Sequence, residues 1–181
     1  MKILKNSIYL MLMCTAVMFT ACNSDDDNAD MMEEDQGGSG AEFFTAKVDG
    51  ADWSADTDLA TLIGASLTTS SGITVLVAQG STNEGSFINF NIIGYDGPGT
   101  YPIANDDLQN ASGALYGASP SQDDIFQANS IVALGGDIRA GSITVSAQDD
   151  NGAEGTFTFE ATNGDSTVNV TDGNFKVVFD N

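Results

Sequence analysis

The chain has no histidine, and its 181 residues hold only two cysteines and five lysine and arginine side chains. Without histidine, the usual neutral-pH general base is excluded, and so are zinc sites built from Cys and His. One cysteine, Cys14, lies inside an N-terminal apolar run. If that run is removed, Cys22 is the only thiol left and no intramolecular disulfide can form. The shortage of cations excludes nucleic acid, whose phosphates need Lys and Arg to displace their counterions. It also argues against docking on an anionic membrane surface. Long helical stripes with caps are absent too, and aromatic residues make up only 8% of the chain, few for a sugar-binding platform.

What is abundant is acid: 26 Asp and Glu give a formal net charge of −21. Lys2 and Lys5 precede Cys22 and no acid does, so cleavage there would leave −23 on the mature side chains, from the 26 acids and three remaining cations. Such a charge favours solubility and divalent cations. It is spread unevenly. The stretch before Gly40 is acidic and poor in large apolar residues, whereas the chain after it is rich in Val, Ile, Phe and Thr.

The most specific signal is N-terminal. Lys2 and Lys5 form a basic start, Ile8 to Ala21 an apolar run, and Phe19-Thr20-Ala21-Cys22 follows. The run is short for a membrane span of about 20 residues and fits the apolar region of a secretory signal. The cut site resembles a bacterial lipobox, which implies a diacylglycerol on the Cys22 sulfur and cleavage before it; a plain signal peptide cut near Ala21 is the alternative. Two or more acyl chains would anchor the protein stably. Ser24, Asp25, Asp26 and Asp27 resemble the export signal that sends Bacteroidota lipoproteins to the cell surface, although an acidic run is also an ordinary solvated spacer. The expected organisation is a cleaved signal peptide (1–21), a lipidated cysteine with a disordered acidic tether (22–40), and one domain (41–181). A flexible tether of this length reaches about 20–25 Å.

From Glu42 onward the period is two. Ile143, Val145 and Ala147 alternate with Ser142, Thr144 and Ser146; Phe157, Phe159 and Ala161 with Thr156, Thr158 and Glu160; Phe175, Val177 and Phe179 with Asn174, Lys176 and Asp180. One wet and one buried face is the pattern of antiparallel sheets. Further strands are expected at Phe43–Val48, Leu59–Thr68, Ile73–Gln79, Phe87–Ile93 and Ile125–Leu134, with a short helical turn near Ser119–Phe126. Asp49-Gly50, Ser71-Gly72, Asp96-Gly97-Pro98-Gly99, Gly135-Gly136, Asn151-Gly152 and Asp172-Gly173 mark turns, the last either a hairpin or a bulge. Eight or nine short strands predict an all-β antiparallel sandwich, with a small β-barrel as the alternative.

Phe44-Thr45-Ala46-Lys47-Val48-Asp49-Gly50 with Trp53, Gly97-Pro98-Gly99-Thr100-Tyr101, Gly141-Ser142-Ile143-Thr144-Val145 and Gly155-Thr156-Phe157-Thr158-Phe159, in that order, resemble a set of Bacteroidota lipoproteins of unknown function. The resemblance implies a β-rich domain and brings no activity.

Chemistry would have to rest on carboxylates. A glycosidase needs two of them about 5–9.5 Å apart in a cleft, and Glu42, Glu84, Glu154 and Glu160 are the glutamates of the domain after the tether. No acid–base pair stands out, so no catalytic residue and no cofactor is assigned. Asp149, Asp150, Asn151 and Glu154 offer calcium the oxygen ligands it prefers, in a spacing unlike an EF-hand; Asp and Asn equally populate plain turns. Asp106-Asp107 and Asp123-Asp124 are weaker versions of the same signal. Trp53, Tyr95, Tyr101 and Tyr116 offer stacking surfaces for a glycan or simply place rings against the core. Asp165-Ser166-Thr167 resembles a periplasmic O-glycosylation site of the same bacteria, and reads equally as a loop. The expectation is a non-enzymatic binding or structural module held at the outer membrane through its lipid, with a glycan or protein ligand; the alternative is a carbohydrate-binding or carbohydrate-active surface protein.

Overall fold

A computed structural model describes residues 41–58, 62–103, 112–128 and 140–180. Cys22, Ser24, Asp25, Asp26 and Asp27 lie outside the described residues, as do Asp106-Asp107 and Gly135-Gly136. The strands are β1 (Phe43–Val48), β2 (Ala51–Ser54), β3 (Ile63–Ser70), β4 (Ile73–Ser81), β5 (Phe87–Ile93), β6 (Gly99–Ile103), β7 (Ser112–Gly117), β8 (Ile125–Ala128), β9 (Gly141–Gln148), β10 (Gly152–Thr162) and β11 (Thr167–Val178). The expected helical turn shrinks to one 3-10 turn at Gln122–Asp124.

All eleven strands belong to one sheet, ordered β2-β1-β11-β10-β9-β6-β7-β5-β4-β3 with β8 bridging β10 and β7. Five of them close a ring. β6 pairs β7, β7 pairs β8, β8 pairs β10, β10 pairs β9, and β9 returns to β6. The β6–β7 pairing is parallel and the rest of the ring antiparallel. The outer strands continue from the ring as two walls, β11-β1-β2 on one side and β5-β4-β3 on the other. The walls face each other across the core, and the tail after β11 touches β3 through the pair Ala65 and Phe179. The all-β antiparallel expectation holds, with a closed barrel at its heart.

Turn chemistry explains the hairpins. Asp49-Gly50 and Ser71-Gly72 are two-residue loops with both residues at positive φ (49° and 85°, 53° and 81°). This is the type I′ geometry whose twist matches that of paired strands. Asp172-Gly173 proves to lie at a bulge within β11: Thr171 and Asp172 together oppose Thr158 on β10, and Asp172 has φ 52°. The bulge leaves Gly173 beneath the Phe157 ring, where an added Cβ would collide with the aromatic carbons.

The period-two reading located the core. Ile143, Val145, Phe157, Phe159, Ala161, Phe175, Val177 and Phe179 are all buried. Ala147 is not; a register shift between Glu154 and Gly155 turns the end of β9 outward. The missed strands are β2, β6 and β7. They are four to six residues long, and β6 and β7 carry Gly or Pro at positions where alternation would otherwise show.

Four rings from four strands meet at the centre: Phe44 of β1, Phe90 of β5, Phe157 of β10 and Phe175 of β11. Their centroids are 5.0–6.4 Å apart, within the range in which aromatic pairs gain beyond area burial. Phe44→Ala and Phe90→Ala should each lower unfolding free energy by about 3–5 kcal/mol. Thr156→Ala, on the exposed face of β10, should stay within about 0.5 kcal/mol. Urea titrations of the three variants check the contrast.

Candidate functional site

A depression lies on the β1–β2 hairpin. It is a shallow groove of about 350 Å³ lined by Thr45, Ala46, Lys47, Asp52, Trp53, Ser54 and Asp172, at the small end for ligand pockets. Strand register creates it. Lys47 stands opposite Asp52 across the hairpin, and the β11 bulge brings Asp172 up beside them, with Lys47 Nζ 3.1 Å from Asp172 Oδ2. The hydrogen bond and charge of Asp172, with the more distant charge of Asp52, hold the Lys47 ammonium above its usual pKa. The groove thus contains two carboxylates and one cation, already paired in part, and none of the four glutamates.

Trp53 turns its ring to the core side. It pairs with buried Ala46, meets Phe44 edge-on at 6.3 Å, and donates its indole N–H to Ser86 Oγ at 2.9 Å. That bond ties β2 to the loop before β5. Among the tyrosines, Tyr95 is buried and its hydroxyl donates to Gln148 Oε1 at 2.9 Å, linking the end of β5 to the end of β9. The Tyr101 hydroxyl reaches the Gly97 carbonyl at 2.6 Å and the Asp96 carboxylate at 2.9 Å, closing the loop that enters β6. Tyr95 and Tyr101 pack against each other at 5.5 Å, and Tyr116 against Phe126 at 6.0 Å. All four residues of the stacking constellation therefore pack on the core. Ser86 and Gln148 were not singled out as partners in the sequence, because a polar partner 33 or 53 residues away leaves no local pattern.

The calcium candidates assemble a turn. Asp149 Oδ1 accepts the N–H groups of Asn151 (2.8 Å) and Gly152 (3.0 Å). Glu154 lies on the following strand, its carboxylate 3.6 Å from Lys176. Among the described residues no group of three or more acidic side chains is placed to hold a metal. Asp124 accepts the Ser119 hydroxyl at 2.6 Å, and the Asp123 carbonyl accepts the Asn163 side chain at 3.0 Å. Of the glutamates considered for glycosidase chemistry, Glu42 accepts the Val178 N–H at 2.8 Å. Ser166, in the Asp165-Ser166-Thr167 segment, lies on the exposed β10–β11 tip, where Asn163 Oδ1 accepts its N–H at 2.9 Å.

Burial raises the Tyr95 pKa to about 12, with smaller contributions from Tyr101 and Asp96. Below pH 10 the phenol is protonated in both folded and unfolded chains. Between 10 and about 12 the unfolded chain releases that proton first, so folding stability falls as pH rises through the window. At neutral pH, Tyr95→Phe should cost about 1 kcal/mol for the lost Gln148 bond. The gap between variant and wild type should then narrow from pH 10 upward in urea titrations; a constant gap to pH 12 would contradict the assignment.

No curated protein and no solved structure matches the chain. The motifs quoted from the sequence prove to be fold-making: Asp49-Gly50 turns the first hairpin, Tyr101 closes the Gly97-Pro98-Gly99 loop, and Gly155 lies where an added Cβ would meet the Thr144 carbonyl. The family model for a domain of unknown function, DUF6252, matches residues 41–178, and the chain belongs to that family.

Proposed function

We propose that the protein is a lipoprotein anchored in the outer membrane through Cys22, displayed on the cell surface by the signal at Ser24–Asp27, and acting there as a non-enzymatic binding or structural module. The observation that best supports this reading is how the polar side chains are used. Tyr95, Tyr101, Trp53, Asp149, Lys47 and Lys176 each hold another part of the fold, which fits a module whose polar side chains serve structure. Phe19-Thr20-Ala21-Cys22 supports the anchor. In this reading no metal or cofactor is required, because the aromatic core and the capped turns account for stability. Calcium at matched ionic strength should leave the melting temperature unchanged. A chelator-reversible rise abolished by Asp149→Ala would instead support the calcium reading.

The anchor is tested by intact-mass analysis. The mature wild-type chain should begin at an acylated Cys22, and Cys22→Ser should leave the membrane fraction; an unmodified N-terminus ends the proposal. For display, replacing Asp25, Asp26 and Asp27 by Ala should keep the protein membrane-bound but hide it from protease added to whole cells. Equal protease access removes the export signal. A glycan array separates a saccharide ligand from a protein one.

A further inference from the structure

The two end strands of the sheet are protected very differently. β2 is four residues long and carries Asp52, and a short charged strand discourages pairing with another chain. β3 is eight residues long, and its second half, Leu67–Ser70, is exposed. It contains no Lys, Asp, Glu or Pro. One edge of β3 is filled by β4 along its whole length. Among the described residues the other meets only the tail after β11, where the Ala65 carbonyl accepts the Asp180 N–H at 2.8 Å. Because main-chain groups alternate sides along a strand, Leu67 and Thr69 direct their N–H and C=O the same way as Ala65. Among the described residues nothing pairs with them.

Charge sharpens the contrast. Between residues 59 and 95, which include β3, β4 and β5, the one charged side chain is Glu84, in the loop before β5. The outer face of these strands carries Ser66, Thr68, Val75, Val77 and Asn91, together with Ile73 at 44% exposure, and Leu67 at the overhanging end is 37% exposed. A chain of −21 repels copies of itself through most of its surface. On this wall the repulsion is weakest, and an unfilled backbone edge lies beside exposed apolar side chains.

We propose that β3 is the seam of a two-fold dimer, in which β3 of one copy pairs antiparallel with β3 of a second and continues the sheet across the axis. The free stretch is Ser66–Ser70, since Ala65 is engaged by the tail. Centring the axis on Thr68 pairs Leu67 with Thr69 of the other copy, in both directions, and satisfies every unpaired main-chain group of the stretch. The same patch serves both copies, as two-fold symmetry requires. The proposal is independent of the lipid anchor.

The register makes a cross-linking test. Thr68 faces its own symmetry mate at a non-hydrogen-bonded position, where Cβ atoms approach to about 4.5–5.5 Å, near the disulfide range of about 3.5–4.5 Å. In the full chain carrying Cys14→Ser and Cys22→Ser, Thr68→Cys should oxidise mainly to a species of twice the chain mass, while Asp150→Cys, on an exposed loop, should stay monomeric. Sedimentation of the same cysteine-free chain should give a dimer, and adding Thr68→Asp should give a monomer with an unchanged strand spectrum. That substitution places two like charges opposite each other while altering only an exposed side chain. The proposal is overturned if Thr68→Cys forms no dimer, if Asp150→Cys forms as much, if Thr68→Cys instead links to a protein of different mass, if the cysteine-free chain is monomeric at every concentration, or if Thr68→Asp stays dimeric.

Discussion

The contact of Phe44, Phe90, Phe157 and Phe175 is the interaction on which the rest of the structure depends. Each ring comes from a different strand, and together they join the wall that carries β1 and β11, and β10 of the ring, to the wall that carries β5. With no disulfide and no metal ligand set among the described residues, apolar burial must supply most of the stability. The rings also dictate where side chains cannot be. Gly80 lies against the Phe44 Cβ, 2.7 Å from where its own Cβ would stand, and Gly173 under the Phe157 ring. The glycines thinly scattered through β4 and β11 are therefore the counterpart of large aromatics on neighbouring strands.

The second constraint is charge. Sixteen of the acids fall on described residues, and the two cations there, Lys47 and Lys176, each face a carboxylate. Exposed pairs of this kind are worth little individually. The acids are tolerated because they occupy loops and outward positions, where water screens them. Several do structural work at those loops: Asp49 accepts the Asn169 N–H, Asp56 that of Asn83 and Asp149 those of Asn151 and Gly152. An acidic composition thus coexists with a stable sheet because carboxylates cap turns while the inward strand faces stay apolar.

Much of this was legible in the sequence, and the reasons can be traced to particular residues. Phe157, Phe159, Phe175 and Val177 were placed in the core because period-two alternation is a local property of a strand with one wet face. The ends of β1, β5 and β9 were located because Gly, Asp and Ser bracket them. β2 was missed although Asp49-Gly50 announces a two-residue hairpin, and a hairpin requires a second strand at Ala51. The candidate site residues fared differently. Asp149, Asp150, Asn151 and Glu154 looked like one ligand cluster from their spacing. The turn instead directs Asp149 to backbone amides, and the strand after it carries Glu154 to Lys176. Trp53 and the tyrosines fitted the core first and a ligand second, since an amphipathic ring satisfies either pattern.

The sequence by itself determined the strand class, the inward faces and the turn positions, because each depends on neighbours a few positions apart. Tertiary structure alone decided how the strands order themselves. The closure through β8, the parallel meeting of β6 and β7, and the bond from Tyr95 to Gln148 join residues far apart in the chain, and no local pattern encodes which strand edge finds which. The same holds for β3. Its composition was visible, but that no described residue pairs with one of its edges beyond Ala65 follows from where the tail after β11 leaves the sheet.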